Sequence, residues 1–405
     1  MRILLLTQWY PPEPQKILSD LSETLQAFGH EVTVLTGFPN YPSGKLYPGY
    51  RLRLRLHETM NGVNVIRVPL YPDHSASAVK RSLNFLSFMA SVSLIGPWLV
   101  SKPDVVYVFC PPLTLACPGW LISRLFRAPL ACEIQDMWPE TLQATGMMNR
   151  PSILRLIALM GRWFYRRNAV IRVISPGFRD NLLSKGVPAE KIRCIPNWVD
   201  TDFYRPQEYD RELAEKLQLA GRFNVMYAGA IGRAQGLEVA IDAAKSLQDL
   251  PDVQFVLVGD GTDLSSLQDA ARATGLSNVK FLGRYPESFM GRLFSIADVL
   301  LVHLRDEPLF RITIPHKAYT YMAVGKPVLA AVAGDTASAI ASADAGLVCP
   351  PGNPDLLAAT VRKLHAMGPA ERKRMGENGR RAAIRSFSRD TVVRQIEGML
   401  ESITV

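Results

Sequence analysis

Short, almost wholly apolar runs recur along this 405-residue chain, each followed by a stretch with helical spacing, and that alternation limits the folds open to it. "RILLLT" (2–7) leads into the amphipathic "ILSDLSETLQAFGH" (17–30), which Gly29 should end, and then into "EVTVLT" (31–36). "VNVIRV", "DVVYVF", "APLACEIQ" and "AVIRVIS" continue the series. A strand that is apolar throughout must be covered on both faces, and helices between such strands imply crossovers, so the expected sheet is parallel. The pattern breaks at "IPNWVDTDFYRP" (195–206) and restarts with "FNVMYAG", "VQFVLVGDG", "VKFLGR", "ADVLLVHL", "PVLAAV" and "GLVCPP". A chain of this length also exceeds a single core. The expectation is α/β: two doubly wound Rossmann-like domains, 1–200 and 201–387, facing a central cleft. A final amphipathic helix (388–405) should pack back toward the N-terminal domain. Ligands of such sheets bind at the carboxyl ends of the strands.

Apolar content of 48% and charged content of 20% exclude a disordered chain. Residues 1–200 hold 22 Lys and Arg against 13 Asp and Glu, so the whole net charge of +9 lies in the N-terminal half. Such an excess attracts nucleic acid, an anionic membrane face or an acidic substrate. Residues 83–100, "LNFLSFMASVSLIGPWLV", carry no charge, with Lys80 and Arg81 before them and Lys102 after. The run falls slightly short of the roughly 20 residues that span a bilayer. It reads as a buried domain helix or as a helix lying in the membrane interface, and the basic excess favours the second. Peripheral membrane contact is therefore expected through residues 76–102. No nucleic acid is expected as a partner. The five cysteines form no CxxC and read as buried thiols in a reducing compartment, and the histidines make no metal spacing. The opening apolar run is too short for a signal peptide, which fits a cytoplasmic chain.

Glycines that follow a strand and precede a helix let backbone amides approach an anion. Gly229, Gly232 and Gly236 do so in "VMYAGAIGRAQGLEVAIDAA" (225–244), where Arg233 adds a cation. "TIPHKAYTYMAVGKPVLA" (313–330) sets Pro315, His316 and Lys317 at a helix start, where amides have no partners of their own. The two stretches together suit a diphosphate. Gly259 in "VGDG" and Gly283, Arg284 and Tyr285 in "VKFLGRYPES" end strands at the same sheet edge and are placed to line a pocket for a base. In the N-terminal half, Asp136 follows a strand and precedes Trp138; it is an acid/base or acceptor-hydroxyl candidate, or a helix cap. Asp200 and Asp202 spell DxD but lie in the linker, so no metal site is expected. The basic run 371–385 reads as a solvated helix face.

"WYPPE" (9–13), "GHEVTVLT", "DMWPE" (136–140), "GAIGRAQG", "VGDG", "FLGRYP", "PHKAYTYMAVGKPVLA" and "ENGRRA" (377–382) together resemble family-four glycosyltransferases of GT-B fold. The likeness is greatest to members that build colanic-acid-like or O-antigen polysaccharides, including N-acetylfucosaminyl transferases. The resemblance implies a nucleotide-sugar donor, of the UDP type, in the C-terminal domain and a lipid-linked (polyprenyl diphosphate) saccharide acceptor in the N-terminal one. It further implies retention at the anomeric carbon and no obligatory metal or cofactor. The donor set it implies is Gly229, Gly232, Arg233, Gln235, Gly259, Gly283, Arg284, Tyr285, Ile314, Pro315, His316, Lys317 and Thr320. The acceptor set is Trp9, Glu13, Lys16, Asp136 and Trp138, and Asp136, Arg233 and Lys317 are the catalytic candidates. This chain departs from the family at several points. The two family glutamates with seven residues between them fall on Ile312 and Thr320, and the phosphate-binding arginine and lysine fall on Ala230 and Gln235. The N-domain histidine falls on Gln135, and Pro14, Gln15 and Lys16 replace a glycine pair. Arg233 and Lys317 are then the cations left to hold the diphosphate. Rival readings are a nucleotide-sugar 2-epimerase, a non-catalytic nucleotide-sugar-binding homologue and a nicotinamide-dependent enzyme. The last lacks a GxGxxG after its first strand.

Overall fold

The computed structural model describes residues 1–75, 77–144, 148 and 150–404. Ala76 and Val405, the outer residues of the segments 76–102 and 388–405, lie outside the described residues. The chain divides into two compact units: Met1–Pro196 with Val392–Val405, and Asn197–Thr391.

Unit 1 runs β1 (Arg2–Leu6), α1 (Lys16–Ala27), β2 (Glu31–Gly37), β3 (Leu56–Met60), β4 (Val63–Val68), α2 (Ala78–Leu99) and β5 (Val105–Cys110). It continues with α3 (Ala116–Phe126), β6 (Leu130–Ile134), α4 (Glu140–Ala144), α5 (Pro151–Arg167), β7 (Val170–Val173), α6 (Pro176–Ser184) and β8 (Ile192–Cys194). The eight strands form one sheet in the order β3-β4-β2-β1-β5-β6-β7-β8. Leu4 of β1 pairs in parallel with Thr33 on one side and Val106 on the other. β5, β6 and β7 are buried along their whole length, as strands covered on both faces must be. At the end of α1, Gly29 adopts φ 92° and donates to the Gln26 carbonyl at 3.0 Å, which stops the helix as expected.

Two strands were not foreseen, the short β8 and the edge strand β3. β3 pairs antiparallel with β4 at the sheet edge through Asn61 and Gly62, whose φ values of 48° and 85° are both positive. Two such residues in succession make the hairpin turn whose twist matches the strands, and Asn-Gly is its strongest sequence signal.

A buried polar group braces the end of unit 1. Arg172 lies 2.6 Å from Glu133, and both are fully buried. The guanidinium also donates to the carbonyls of Ile195 at 3.1 Å and Pro196 at 2.6 Å, while the Tyr107 hydroxyl donates to Glu133. An ion pair withdrawn from water is tolerated only when its remaining donors and acceptors find partners, as these do.

Unit 2 runs α7 (Arg211–Lys216), β9 (Phe223–Ala228), α8 (Glu238–Lys245), β10 (Val253–Val258), α9 (Leu264–Ala273), β11 (Val279–Gly283), α10 (Met290–Ser295) and β12 (Val299–His303). Then come α11 (Pro308–Arg311), α12 (His316–Ala323), β13 (Val328–Ala331), α13 (Asp335–Ser342), β14 (Gly346–Cys349), α14 (Pro354–Ala366), α15 (Pro369–Ala382) and α16 (Arg389–Glu401). The six parallel strands are ordered β11-β10-β9-β12-β13-β14, so the order reverses between β9 and β12. Successive residues feed opposite faces: Met226, Val256 and Leu300 enter one core, and Val225, Phe255 and Leu301 the other. From Val392 onward α16 belongs to unit 1, where Val392, Val393 and Ile396 are buried and Glu397 meets His30 at 2.7 Å.

Three expectations need correcting. The basic run 371–385 is not simply a solvated face. Gly376 of α15 packs against the backbone of Gly325, with no room for a Cβ, and Arg380 donates to the carbonyls of Thr201, Tyr204 and Ala323 at 2.8–2.9 Å. The cysteines are all free, but Cys194 is exposed and Cys117 only half-buried. The apolar segment 83–100 is neither wholly core nor wholly surface. Phe88 and Val92 of α2 are fully buried against unit 1, whereas Leu83, Leu86, Leu94 and Trp98 are exposed.

Candidate nucleotide-sugar site

The site is a cavity of about 480 Å³ in unit 2. Three strand ends and one helix start build it: Ala228, Gly229 and Ala230 after β9, Val258, Gly259 and Asp260 after β10, Arg284 and Tyr285 after β11, and His316, Lys317, Thr320 and Tyr321 of α12. Tyr204, Met290 and Phe294 complete the lining. It therefore lies at the carboxyl edge of the sheet, beside the point where the strand order reverses.

Close backbone packing shapes the floor. Gly229 and Gly259 both sit at φ 139°, and a Cβ on Gly259 would fall 1.9 Å from the Gly229 carbonyl oxygen. The Gly259 amide donates to the Gly283 carbonyl at 2.8 Å, which ties the three loops together. Tyr321 fastens α12 to the end of β9, accepting from the Ala228 amide at 2.9 Å and donating to its carbonyl at 3.1 Å.

Lys317 dominates the electrostatics. It reaches over the ring of Tyr227, 3.6 Å from the centroid, and its Nζ would lie 2.9 Å from a Cβ on Gly229. The ammonium is closed off from solvent and makes no hydrogen bond among the described residues. Burial alone lowers its pKa from 10.5 to about 7. A cation held this way lacks an anion, and the start of α12 is where an anion is best received. The Tyr227 hydroxyl, itself raised by burial, donates to the Ala230 carbonyl at 2.5 Å and so cannot neutralise it.

His316 is an orienting group. Its Nε2 lies 3.1 Å from the Trp198 carbonyl and its Nδ1 3.3 Å from the Thr320 hydroxyl. Tyr285 stacks on Phe289 with centroids 5.2 Å apart and planes 15° apart, and Arg292 lies over Phe289 at 4.9 Å. A backed aromatic plane of this kind suits a base or sugar face.

The structure brings Gly229, Gly259, Arg284, Tyr285, His316, Lys317 and Thr320 into one cavity. It leaves out the rest of the sequence-derived donor set. Arg233 is exposed on the 3-10 turn Arg233–Gln235 and does not line the cavity, so Arg284 is its second cation. Gln235 is used locally, its side chain accepting from the Gly232 amide at 3.1 Å and its carbonyl facing His303 Nδ1 at 2.5 Å. Gly283 supports the floor from behind, Ile314 packs against the hydrophobic core, and Pro315 caps α12. Sequence reasoning missed Asp260, the one carboxylate in the lining, and Tyr321. The quoted "VGDG" already contained the aspartate. Asp200 caps the turn after it, accepting from the amides of Asp202 and Phe203 at 3.1 and 2.9 Å.

The acceptor candidates all belong to unit 1. Trp9 packs with Tyr41 and Phe85, centroids 5.5 and 6.2 Å apart, in an aromatic cluster after β1. Glu13 is 2% exposed and accepts from the amides of Tyr10, Asn40 and Tyr41 at 2.8–3.0 Å. Burial raises its pKa while those amides pull it back. Its carboxylate is thus engaged in shaping the loop through these three amides. Lys16 and Asp136 are exposed and Trp138 is half-buried. Desolvation raises the Asp136 carboxyl although the residue presents an exposed surface; the exposure carries the greater weight, because water at hand screens the effect.

Two family descriptions match the chain: Glycosyl transferase 4-like domain over residues 14–198 and Glycosyl transferases group 1 over residues 210–382. WcaI of Escherichia coli (strain K12), described as a colanic acid biosynthesis glycosyl transferase, is 29% identical over 80% of this chain and 82% of its own length. The D-rhamnosyltransferase WbpZ of Pseudomonas aeruginosa is 30% identical over 66% of this chain and 73% of its own. Among solved structures, Anabaena Alr3699/HepE in complex with UDP aligns over 99% of this chain and 100% of its own, with a TM-score of 0.75 and 21% identity.

Proposed function

The chain belongs to the GT-B glycosyltransferases of polysaccharide biosynthesis, and from that premise we propose that it is a retaining enzyme that moves a sugar from a UDP-sugar to a lipid-linked saccharide. The observation that carries the donor assignment is Lys317: an ammonium shut away from water, with no hydrogen-bond partner among the described residues, in the wall of a cavity of nucleotide size. The UDP held by the similar fold of Alr3699/HepE supports the choice of base.

In this reading the diphosphate lies against Lys317 and the start of α12, and the base lies toward Tyr285 and Arg284. As the bond from the anomeric carbon to phosphate oxygen breaks, negative charge grows on the leaving diphosphate. The acceptor hydroxyl oxygen bonds to that carbon and its proton passes to a base. Preorganised cations are worth most where charge develops, which assigns Lys317 the largest share of the rate enhancement. In this reading Lys317 and the amides at the start of α12 perform that task without a divalent ion. Thr320 replaces a carboxylate with a neutral hydroxyl, so contacts to the donor there are weaker than a charged group would give. On unit 1, the Trp9 cluster offers ring faces and Asp136 an exposed carboxylate for a saccharide acceptor. A polyprenyl diphosphate acceptor places the protein peripherally at the inner face of the cytoplasmic membrane, held there through residues 76–102.

Calorimetry with UDP, GDP and dTDP tests the donor assignment, followed by transfer assays from the corresponding sugars to polyprenyl diphosphate saccharides. UDP binding that Lys317→Met abolishes is the expected result. Failure of all three nucleotides to bind would reject the reading.

A further inference from the structure

The outward face of α2 is as apolar as its inward one. Val79, Leu83, Leu86, Ala90, Leu94 and Trp98 follow helical spacing along one exposed stripe, with Leu94 72% and Trp98 86% exposed. A helix that is apolar all round but buried on only one side needs a second apolar environment. The stripe does not stand alone. The strand order carries the chain in one direction from β4 through β5 and β6 to β7, and right-handed crossovers put α2, α3 and α5 on the same side of the sheet. α2 packs on α3, and α3 on α5. Trp120 of α3 and Trp163 of α5 meet at 5.5 Å, with Arg167 over both rings at 5.7 and 4.4 Å.

The exposed residues of α5 combine two chemistries. Leu156 and Leu159 are 66% and 60% exposed, and Arg155, Arg162 and Arg166 alternate with them on the same helical face. None of these three arginines forms an ion pair among the described residues. α2, α3 and α5 together contain no aspartate or glutamate. A surface that mixes large apolar side chains with unpaired arginines matches the border of an anionic bilayer. There the arginine heads stay at the phosphates while stems and leucines enter the acyl region.

We propose that α2, α3 and α5 form one docking surface for a lipid bilayer bearing anionic headgroups, with Arg155, Arg162 and Arg166 taking the lipid phosphates. This rests on the membrane contact proposed above for residues 76–102 and extends it to a helix outside that segment. The full chain is sedimented with vesicles of phosphatidylcholine alone or with about 30% phosphatidylglycerol added. Expected is at least tenfold stronger binding to the anionic vesicles, weakening with salt. The triple variant Arg155→Gln/Arg162→Gln/Arg166→Gln should remove most of that preference, and Leu94→Ser/Trp98→Ser should weaken binding to both vesicle types. Both variants should bind UDP as the parent does, so the nucleotide site is judged separately. If the serine variant loses binding and the arginine variant keeps it unchanged, residues 76–102 act alone and the role of α5 is wrong. If neither vesicle binds the parent chain, or if it forms a concentration-dependent dimer that the serine variant abolishes, the surface serves another purpose and the proposal falls.

Discussion

Replacing Lys317 by methionine should make the protein more stable and less able to bind UDP, both with a definite pH dependence. Burial holds the Lys317 pKa near 7 against 10.5 for a free lysine. At about 1.36 kcal/mol per pH unit, that displacement corresponds to about 4–5 kcal/mol of destabilisation near neutral pH. The Tyr227 ring under the ammonium returns about 0.5–2 kcal/mol, so methionine, of similar volume, should gain about 2–4 kcal/mol. The sign follows from linkage. Between pH 7 and about 10.4 the unfolded lysine keeps a proton that the folded one has lost, so parent stability climbs with pH across that window. The advantage of the variant is therefore largest at and below pH 7 and shrinks as pH rises. Binding moves the other way. A diphosphate needs the ammonium charged, so each pH unit above 7 should weaken UDP about tenfold, to about 100-fold at pH 9. The working range begins near pH 7.5, where a terminal phosphate with a second ionisation near 6 is already fully charged. Calorimetry in buffers of different ionisation enthalpy should show uptake of close to one proton at pH 8.5–9. Affinity that is flat from pH 7.5 to 9, or a methionine variant that binds like the parent, would refute the reasoning.

Tyr285→Ala should weaken UDP about tenfold or more, since stacking of a base on an aromatic ring is worth about 1–3 kcal/mol. Arg233→Ala should change UDP affinity by less than twofold, because that side chain is exposed away from the cavity; calorimetry distinguishes the two. Gly259→Ala should lower the unfolding temperature sharply or prevent folding, because its Cβ would meet the Gly229 carbonyl at 1.9 Å. Arg172→Met should cost about 3–5 kcal/mol in denaturant unfolding, since Glu133 would be left charged and buried. Transfer activity should persist in excess chelator, and a loss restored only by a divalent ion would contradict the cation assignment.

What the sequence made legible follows from period and turn chemistry. Each short apolar run bounded by turn residues became a strand, and Gly29 ended its helix, because one-dimensional spacing encodes those features directly. The β3–β4 hairpin was equally legible in Asn61-Gly62 but was masked by the expectation of a wholly parallel sheet. The cavity was readable only in part. Lys317, Gly229 and Gly259 stood out because helix starts and strand-end glycines advertise anion contacts. Arg233 misled because proximity in sequence to a glycine loop says nothing about which way a 3-10 turn carries a side chain. Glu13 misled for a related reason: three amides from residues near and far in the chain consume its carboxylate, and no spacing rule reports that. For α2 the sequence left a buried helix and an interfacial one both open, and only the packing of Phe88 and Val92 beside exposed Leu94 and Trp98 shows which residues face which way.

The return of α16 to unit 1 has a consequence for biosynthesis. A ribosome delivers β1 to β8 first, yet Val392, Val393 and Ile396, which their core requires, emerge only after the whole of Asn197–Thr391 has been made. The second unit is contiguous and can reach its native state while the first still waits for its closing segment. A nascent chain stalled before residue 392 should accordingly protect the later-made half from protease and leave the earlier-made half open.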